Sequence, residues 1–414
     1  MNPFSVLSLS SILTAVPLLF PSTGRAEKIS VDSVISGFRL KPEWSVGTEM
    51  QGDYVIPTDP FFKGSNVEEK RISGSFGATL RGAFRFNPSS REGMLYPGIY
   101  QGAAIGIKTF FHKRLMGNPG SFYVFQGAPF HNFSPRLSLG YEWKFGIAFG
   151  WHHTDANPPE TSSTISTAVT AHMGVALKLN YTLSSNWLLS LGIEGTHHSN
   201  GNTSWRNAGL NSAGLSIGAA YILNPLGSPI SPPEKLKEEA DSKRWLFDIM
   251  AFGAWRQRVI LLPSSIYTEN WERYDVLAPG KYPVFGMQFA PALTLNRWVA
   301  VGPALDIQWD KSADLSNYWI EKPYEEGLSF YHVPFGKQIS VGLSAHAELT
   351  TPIFSVNAGI GYNVVNPKGD RAFYQSLTVK TFITQHIFLN VGYRLGEFKD
   401  PHNIMLGIGY RIGR

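Results

Sequence analysis

The chain reads as an all-β, antiparallel transmembrane β-barrel of about sixteen strands, within a range of twelve to sixteen. Three observations carry this reading. The composition is 43% hydrophobic, 13% aromatic and only 16% charged, with 41 glycines, yet beyond the N-terminus no apolar run approaches the roughly eighteen residues that a membrane helix needs. Apolar and polar residues alternate with period two over Leu137 to Trp151, Val169 to Leu183 and Trp187 to Ser199, and again over Trp298 to Asp310, Ile353 to Val364, Phe373 to Ile383 and Asn403 to Ile412. A half-buried soluble sheet alternates too. Here the number of such segments, with no amphipathic helix long enough to cover a sheet, favours closure into a barrel. The third observation is that the breaks alternate in length. Ser184-Ser185-Asn186, Asn296-Arg297, Thr350-Thr351-Pro352 and Thr384-Gln385-His386 are tight, whereas 153 to 165, 200 to 208, 262 to 281, 311 to 336, 365 to 371 and 397 to 402 are mostly longer and polar. Short periplasmic turns and longer external loops are the habit of outer-membrane barrels.

In chain order, residues 1–26 read as a cleaved signal peptide, with an apolar stretch from Phe4 to Phe20 and small residues around Gly24-Arg25-Ala26. Residues 27–414 then form the barrel. Within it, 224–244 breaks the loop rule. Parity places this segment on the short-turn side, yet it is long, rich in proline (Pro225, Pro229, Pro232, Pro233) and charged from Glu234 to Glu239. It reads as a linker between two halves, 37–223 and 245–414, of one barrel, because strand pairs on both sides keep the same parity. The competing reading is a boundary between two barrel-like modules. Cysteine is absent, which excludes disulfides and thiolate metal sites. A net charge of +5 spread along the chain leaves no nucleic-acid footprint.

The candidate site is Thr196-His197-His198-Ser199-Asn200-Gly201, followed by Asn207-Ala208-Gly209-Leu210-Asn211. In a strand, residues i and i+2 share a face. Leu189, Leu191, Ile193, Gly195, His197 and Ser199 therefore line one face, while Glu194, Thr196 and His198 turn to the other. Asn211 heads the apolar row Ala213, Leu215, Ile217, Ala219 of the next segment. Three polar groups thus extend two greasy stripes. A serine becomes a useful nucleophile when a base takes its proton, and the base works best when a third group orients it. Ser199, His197 and Asn211 can fill those roles, and Asn200 could offer a donor to an oxyanion. The plainer alternative is a set of interfacial residues at headgroup level. Metal ligation by His197-His198 or His152-His153 is disfavoured, since neighbours in a strand point apart, and no cofactor is implied.

The run His197 to Asn200 with Asn207 to Asn211 resembles the signature of the outer-membrane lipid A 3-O-deacylase family, PagL-like proteins also described as acyloxyacyl hydrolases. That family carries HxSN and then NxG followed by an acidic or amide residue. The runs Gly117 to Val124, Ala128 to Phe130 and Leu137 to Trp151 are similar to its larger members. The resemblance covers roughly 37–223 well and 245–414 only in general character. It implies that His197 is the base and Ser199 the nucleophile, with Asn200 near the oxyanion. It further implies a serine esterase that removes an ester-linked 3-hydroxyacyl chain from lipid A of lipopolysaccharide. Location in a Gram-negative outer membrane, lipid partners and assembly by the outer-membrane insertion machinery follow from it. The best-known small deacylases have Glu where this chain has Asn211. Outer-membrane phospholipase A is similar in pairing His-x-Ser-Asn-Gly with a later Asn, and a non-enzymatic porin-like barrel is the third reading.

Overall fold

The alternating segments form strands with the face assignments that their periodicity implies. The computed structural model describes residues 40–153, 164–263, 273–320, 329–398 and 400–413. The expected signal peptide lies outside them. The first eight strands are β1 (Glu43–Ile56), β2 (Gly74–Arg85), β3 (Tyr100–Thr109), β4 (Gly117–Ser134), β5 (Leu137–Trp151), β6 (Val169–Thr182), β7 (Trp187–Ser199) and β8 (Leu210–Ile222). Each pairs antiparallel with the next, and β8 returns to β1 with Ser45 opposite Ile222 and Ile56 opposite Asn211. A second cylinder contains β9 (Trp245–Arg256), β12 (Tyr282–Thr294), β13 (Val299–Asp310), β16 (Ile339–Thr350), β17 (Phe354–Val365), β18 (Phe373–Phe382), β19 (Ile387–Gly396) and β20 (Asp400–Ile412), closed by β20 on β9. Two-stranded hairpins β10 (Val259–Pro263) with β11 (Arg273–Leu277), and β14 (Trp319–Ile320) with β15 (Ser329–Phe330), stand in its long loops.

Among the described residues sixteen barrel strands are therefore present, as expected, but they close as two cylinders of eight. The single cylinder expected from strand parity is not formed. The division falls at the proline-rich segment, part of which is a short helix, α4 (Glu234–Asp241), after α1 (Pro60–Lys63), α2 (Arg91–Leu95) and α3 (Lys113–Met116).

Each cylinder has an apolar exterior. On β7, Trp187, Leu189, Leu191 and Ile193 are exposed while Gly192, Glu194, Thr196 and His198 are buried in the lumen. The lumens hold the charges that would be costly outside. Glu49 accepts from Arg81 at 2.5 Å, Lys144 at 2.9 Å and Lys178 at 2.5 Å, and Glu194 accepts from Lys144. In the second barrel, Asp248 and Glu348 share Lys380 and Arg411 at 2.6–2.8 Å. Buried charges are tolerated when paired in this way.

The mouth of the first barrel at its long-loop end, taken as external by the loop-length rule, is stopped by an apolar plug. Asp59 caps α1 by accepting from the Phe61 N–H at 2.9 Å, and Gly64 ends it in the left-handed region. That one turn inserts Phe61 and Phe62 among Val55, Ile72, Phe110, Leu115, Trp151, Ile165 and Leu210. Trp151 joins this cluster because Gly150, at φ +80°, turns the chain inward after Phe149. The alternation from Leu137 to Trp151 predicts that every odd-numbered residue, Trp143 and Trp151 included, faces lipid, and at Trp151 this inward turn overrides it.

The two cylinders touch along β5. Trp143 is only 8% exposed, since its ring packs edge-on against Phe354 at 5.2 Å, with Val379, Ile353 and Val356 alongside. Its expected exposure to lipid is replaced by this protein seam. Because lipid tails are as apolar as these side chains, close fit rather than escape from water holds the contact.

Candidate active site

Ladder register sets His197 of β7 opposite Asn211 of β8, and opposite Met173 of β6 on its other side. The His197 Nδ1 to Asn211 Oδ1 distance is 2.7 Å. A carbonyl oxygen only accepts, so this bond places the proton on Nδ1 and leaves the Nε2 lone pair available as a base. Gly209 makes room for the ring. A Cβ there would come within 2.9 Å of His197 Cε1, and its φ of +69° suits glycine. The glycine in the Asn207-Ala208-Gly209 run therefore serves the imidazole directly.

Ser199 is the last residue of β7, paired with Ala171, and is 3% exposed. It lies two residues from His197, as expected. Among the described residues no hydrogen bond joins its hydroxyl to His197. Catalytic hydrogen bonds are often long in unliganded sites and tighten around substrate.

Asn200 is placed differently from its expected oxyanion role. Its backbone N–H donates to Asn207 Oδ1 at 3.0 Å, and its amide donates to the Ser204 carbonyl at 2.8 Å and Ser166 Oγ at 3.2 Å. Its Oδ1 accepts from the Asn202 N–H at 2.9 Å. These donors are already committed to shaping the 200–207 loop. Asn207, which sequence reasoning gave no separate role, is the acceptor that closes it.

His198 points into the lumen, as the alternation requires. It bonds His172 at 2.8 Å, Tyr123 stacks on His172 at 4.8 Å, and Trp151 meets His198 edge-on. His197 and His198 thus lie on opposite sides of the barrel wall and cannot share one ion. Among the described residues no cluster of three metal-ligating side chains occurs.

The fold defines a transmembrane β-barrel protein, with a histidine, a serine and an amide gathered near the long-loop end of two neighbouring strands. Residues 245–414 match the family described as acyloxyacyl hydrolase, C-terminal domain. The second barrel is thus similar to PagL-like acyloxyacyl hydrolases over less than half of the chain. The match falls on the half whose resemblance was the weaker in sequence, while the HxSN run lies in the other. Among solved structures, Neisserial surface protein A is 14% identical over 43% of this chain and 96% of that one, with a TM-score of 0.29. The outer membrane enzyme PagL is 11% identical over 42% and 97%, with a TM-score of 0.26. The Acinetobacter baumannii outer membrane protein Omp33 is 10% identical over 90% and 99%, with a TM-score of 0.15. No curated protein matches the chain.

Proposed function

We propose that the first barrel is an outer-membrane serine esterase that removes an ester-linked 3-hydroxyacyl chain from lipid A. The observation that carries this reading is the His197–Asn211 bond, which fixes one tautomer of an imidazole on the lipid-facing side of the barrel. Polar groups are costly there, and an oriented base beside a serine gives that cost a use.

Ser199 Oγ attacks the acyl carbonyl carbon while its proton passes to His197 Nε2. The tetrahedral intermediate collapses with cleavage of the ester C–O bond, the sugar oxygen takes the proton back from the imidazolium, and the acyl group stays on Ser199. Water then attacks the acyl-enzyme by the same path, releasing the fatty acid and restoring the serine. Asn211 orients the ring but carries no charge to balance the imidazolium, so it stabilises the intermediate less than a carboxylate would. The plugged outer mouth favours sideways entry of substrate from the bilayer. Lys113 and Arg114, exposed at the same end, suit the phosphates of lipid A.

A site in the outer leaflet meets lipopolysaccharide on an intact membrane, whereas phospholipids occupy the inner leaflet. The amide at Asn211 is the feature that favours phospholipase A as the second reading. Mass spectrometry of lipid A and phospholipids from cells expressing the chain or its Ser199→Ala form separates the two. Loss of one 3-hydroxyacyl group that requires Ser199 supports the deacylase. Unchanged lipid A with released lysophospholipid would move the assignment to the phospholipase, and no change in either lipid class would favour a non-enzymatic barrel.

A further inference from the structure

Although His197, Ser199 and Asn211 all belong to the first barrel, the loop that follows Ser199 is bound by the second. Gln257, the first residue beyond the outer end of β9, holds that loop at two points. Its backbone N–H donates to the Asn202 carbonyl at 3.0 Å, and its side-chain Oε1 accepts from the Trp205 N–H at 2.7 Å. Gln257 is itself bracketed by two ion pairs within the second barrel, Arg256 with Asp310 at 3.0 Å and Arg258 with Asp370. A third contact lies beside the nucleophile. Gly201 sits so close to Ile404 of β20 that a Cβ would come within 2.2 Å of Ile404 Cγ1, with Tyr393 Cε2 at 3.6 Å. The glycine of the His-x-Ser-Asn-Gly run is therefore required both by its φ of +64° and by the neighbouring barrel.

We propose that the second barrel is a positioning domain for the active site of the first, and that Gln257 is its principal positioning residue, fixing the 200–207 loop and through it Ser199 and Asn200. The proposal deepens the esterase reading and rests on it for its catalytic consequence. Within the first barrel the loop is held on one side, by Asn200 on Ser166, Asn207 opposite Ile165 and Arg206 near Asp59. The two bonds to Gln257 and the Ile404 contact hold its other side and so set its tilt on the barrel rim. Displacing reacting groups by about 1 Å can cost on the order of 100-fold in rate.

The test uses the full-length protein in micelles with purified lipopolysaccharide as the probe, after heat-modifiable migration has shown that each variant is folded. Gln257→Ala is expected to lower kcat roughly 10- to 100-fold with KM nearly unchanged, because the loop orients the nucleophile rather than binding the acyl chain. Gln257→Glu keeps an acceptor for the Trp205 N–H and should restore most of the rate. Wild-type kcat in Gln257→Ala, or equal losses in the Ala and Glu variants, would overturn the proposal. Gly201→Ala alone and combined with Ile404→Ala forms a second arm. Recovery in the double variant places the damage at the barrel–barrel contact, whereas no recovery assigns it to backbone strain within the first barrel and counts against the proposal. Amide hydrogen exchange at Trp205 makes the outcome independent of the esterase reading. If the wild-type protein shows no Ser199-dependent hydrolysis, that reading fails. Exchange that is faster in Gln257→Ala and normal in Gln257→Glu still upholds the clamp, and unchanged exchange in both rejects it.

Discussion

The two barrels contain nearly the same trio of residues, turned in opposite directions. In the first, His197 bonds Asn211 across β7 and β8 at 2.7 Å and faces outward, with Ser199 two residues along. In the second, His346 Nδ1 meets Asn357 Oδ1 at 2.7 Å and its Nε2 lies 2.8 Å from Ser344 Oγ, two residues back, but all three point into the lumen. The inward trio is by hydrogen bonds the more complete of the two. Its serine is nevertheless engaged: Ser344 donates to Asp306 Oδ2 at 2.6 Å, and Asp306 also accepts from Tyr374 at 2.5 Å and Gln288 at 2.7 Å. A hydroxyl has one proton, and this one already has a carboxylate to bond. Residue types and spacing therefore do not distinguish a site from a structural network. The face of the strand does: His197 and Asn211 are half-buried on the outer wall of their barrel, whereas Ser344, His346 and Asn357 are buried in the lumen.

The largest expected effect tests that distinction. Ser199→Ala and His197→Ala should each reduce ester hydrolysis by roughly a thousandfold or more, since nucleophile and base act as a unit. Ser344→Ala should leave the rate within about twofold but destabilise the second barrel by about 1–3 kcal/mol, because Asp306 and His346 lose a buried partner. Turnover by Ser344→Ala alongside turnover by Ser199→Ala would break the comparison. Loss of activity in Ser344→Ala but not in Ser199→Ala would reverse it and move the chemistry to the barrel that carries the family match.

A second test asks whether both exteriors meet lipid. Leu191 in the first barrel and Leu343 in the second are both more than half exposed. Arginine at either should cost roughly 2–4 kcal/mol near the midplane. Equal losses in unfolding titrations in bilayers would show that both cylinders are embedded, whereas a neutral Leu343→Arg would leave only the first barrel spanning the membrane.

Much of this was legible because a period of two is a local signal. The segment Trp187 to Ser199 is β7 with the same ends, and Glu194 and His198 face the lumen as the alternation requires. The division into two cylinders was not legible from parity. An even number of strands returns the chain to the same side whether it closes after eight or after sixteen, and only the pairing of β1 with β8 decides. That contact joins residues far apart in sequence and leaves no trace in the pattern of either strand. Gln257 was missed for the same reason, since its partners Asn202 and Trp205 lie across the seam. The Asn200 assignment went astray differently: its residue type was compatible with an oxyanion donor, but the loop that consumes its donors depends on Asn207, Ser204 and Ser166. The short helix α4 was read only as charged linker, and the hairpin of β10 and β11 stands where a polar loop was expected.

Substitutions around His197 refine the outward trio by smaller steps. Asn211→Ala frees the imidazole to rotate and should lower kcat roughly 10- to 100-fold. Asn211→Glu restores an acceptor with charge and should match or exceed the wild-type rate. His198→Ala should have a mild effect on kcat, because the lumen face it occupies is closed to substrate. An essential His198 with a dispensable His197 would mean that the chemistry uses the lumen side, and the contrast between the barrels would lose its basis.

The smallest expected effect lies at the opposite end of the seam from Gln257. There Asp241 at the end of α4 accepts from the Arg297 Nη2 at 2.6 Å and Nε at 2.8 Å, while Arg297 Nη1 donates to the Leu95 carbonyl of the first barrel at 3.2 Å. Tyr96 adds a bond to the Arg297 carbonyl at 3.1 Å and an edge-on contact with Trp298. The hydrogen bonds from Arg297 hold the Asp241 carboxyl below the ordinary carboxylate range. A carboxylate whose pKa is lower in the folded state stabilises that state above its unfolded pKa, and the contribution disappears as pH falls through the lower, folded value. Asp241 is about a third exposed, with its side chain at 31%, so solvent screening limits the gain. Asp241→Asn should therefore cost under about 1 kcal/mol at neutral pH, and wild type and variant should converge in acid. Hydrolysis should be unchanged, because this latch joins the short-turn ends of the barrels while Gln257 and Ile404 meet the active-site loop at the other end. A drop in kcat in Asp241→Asn would show that the two barrels move as one lever, with the latch setting the tilt of the loop at the far end, and Gln257 would then no longer be the principal control.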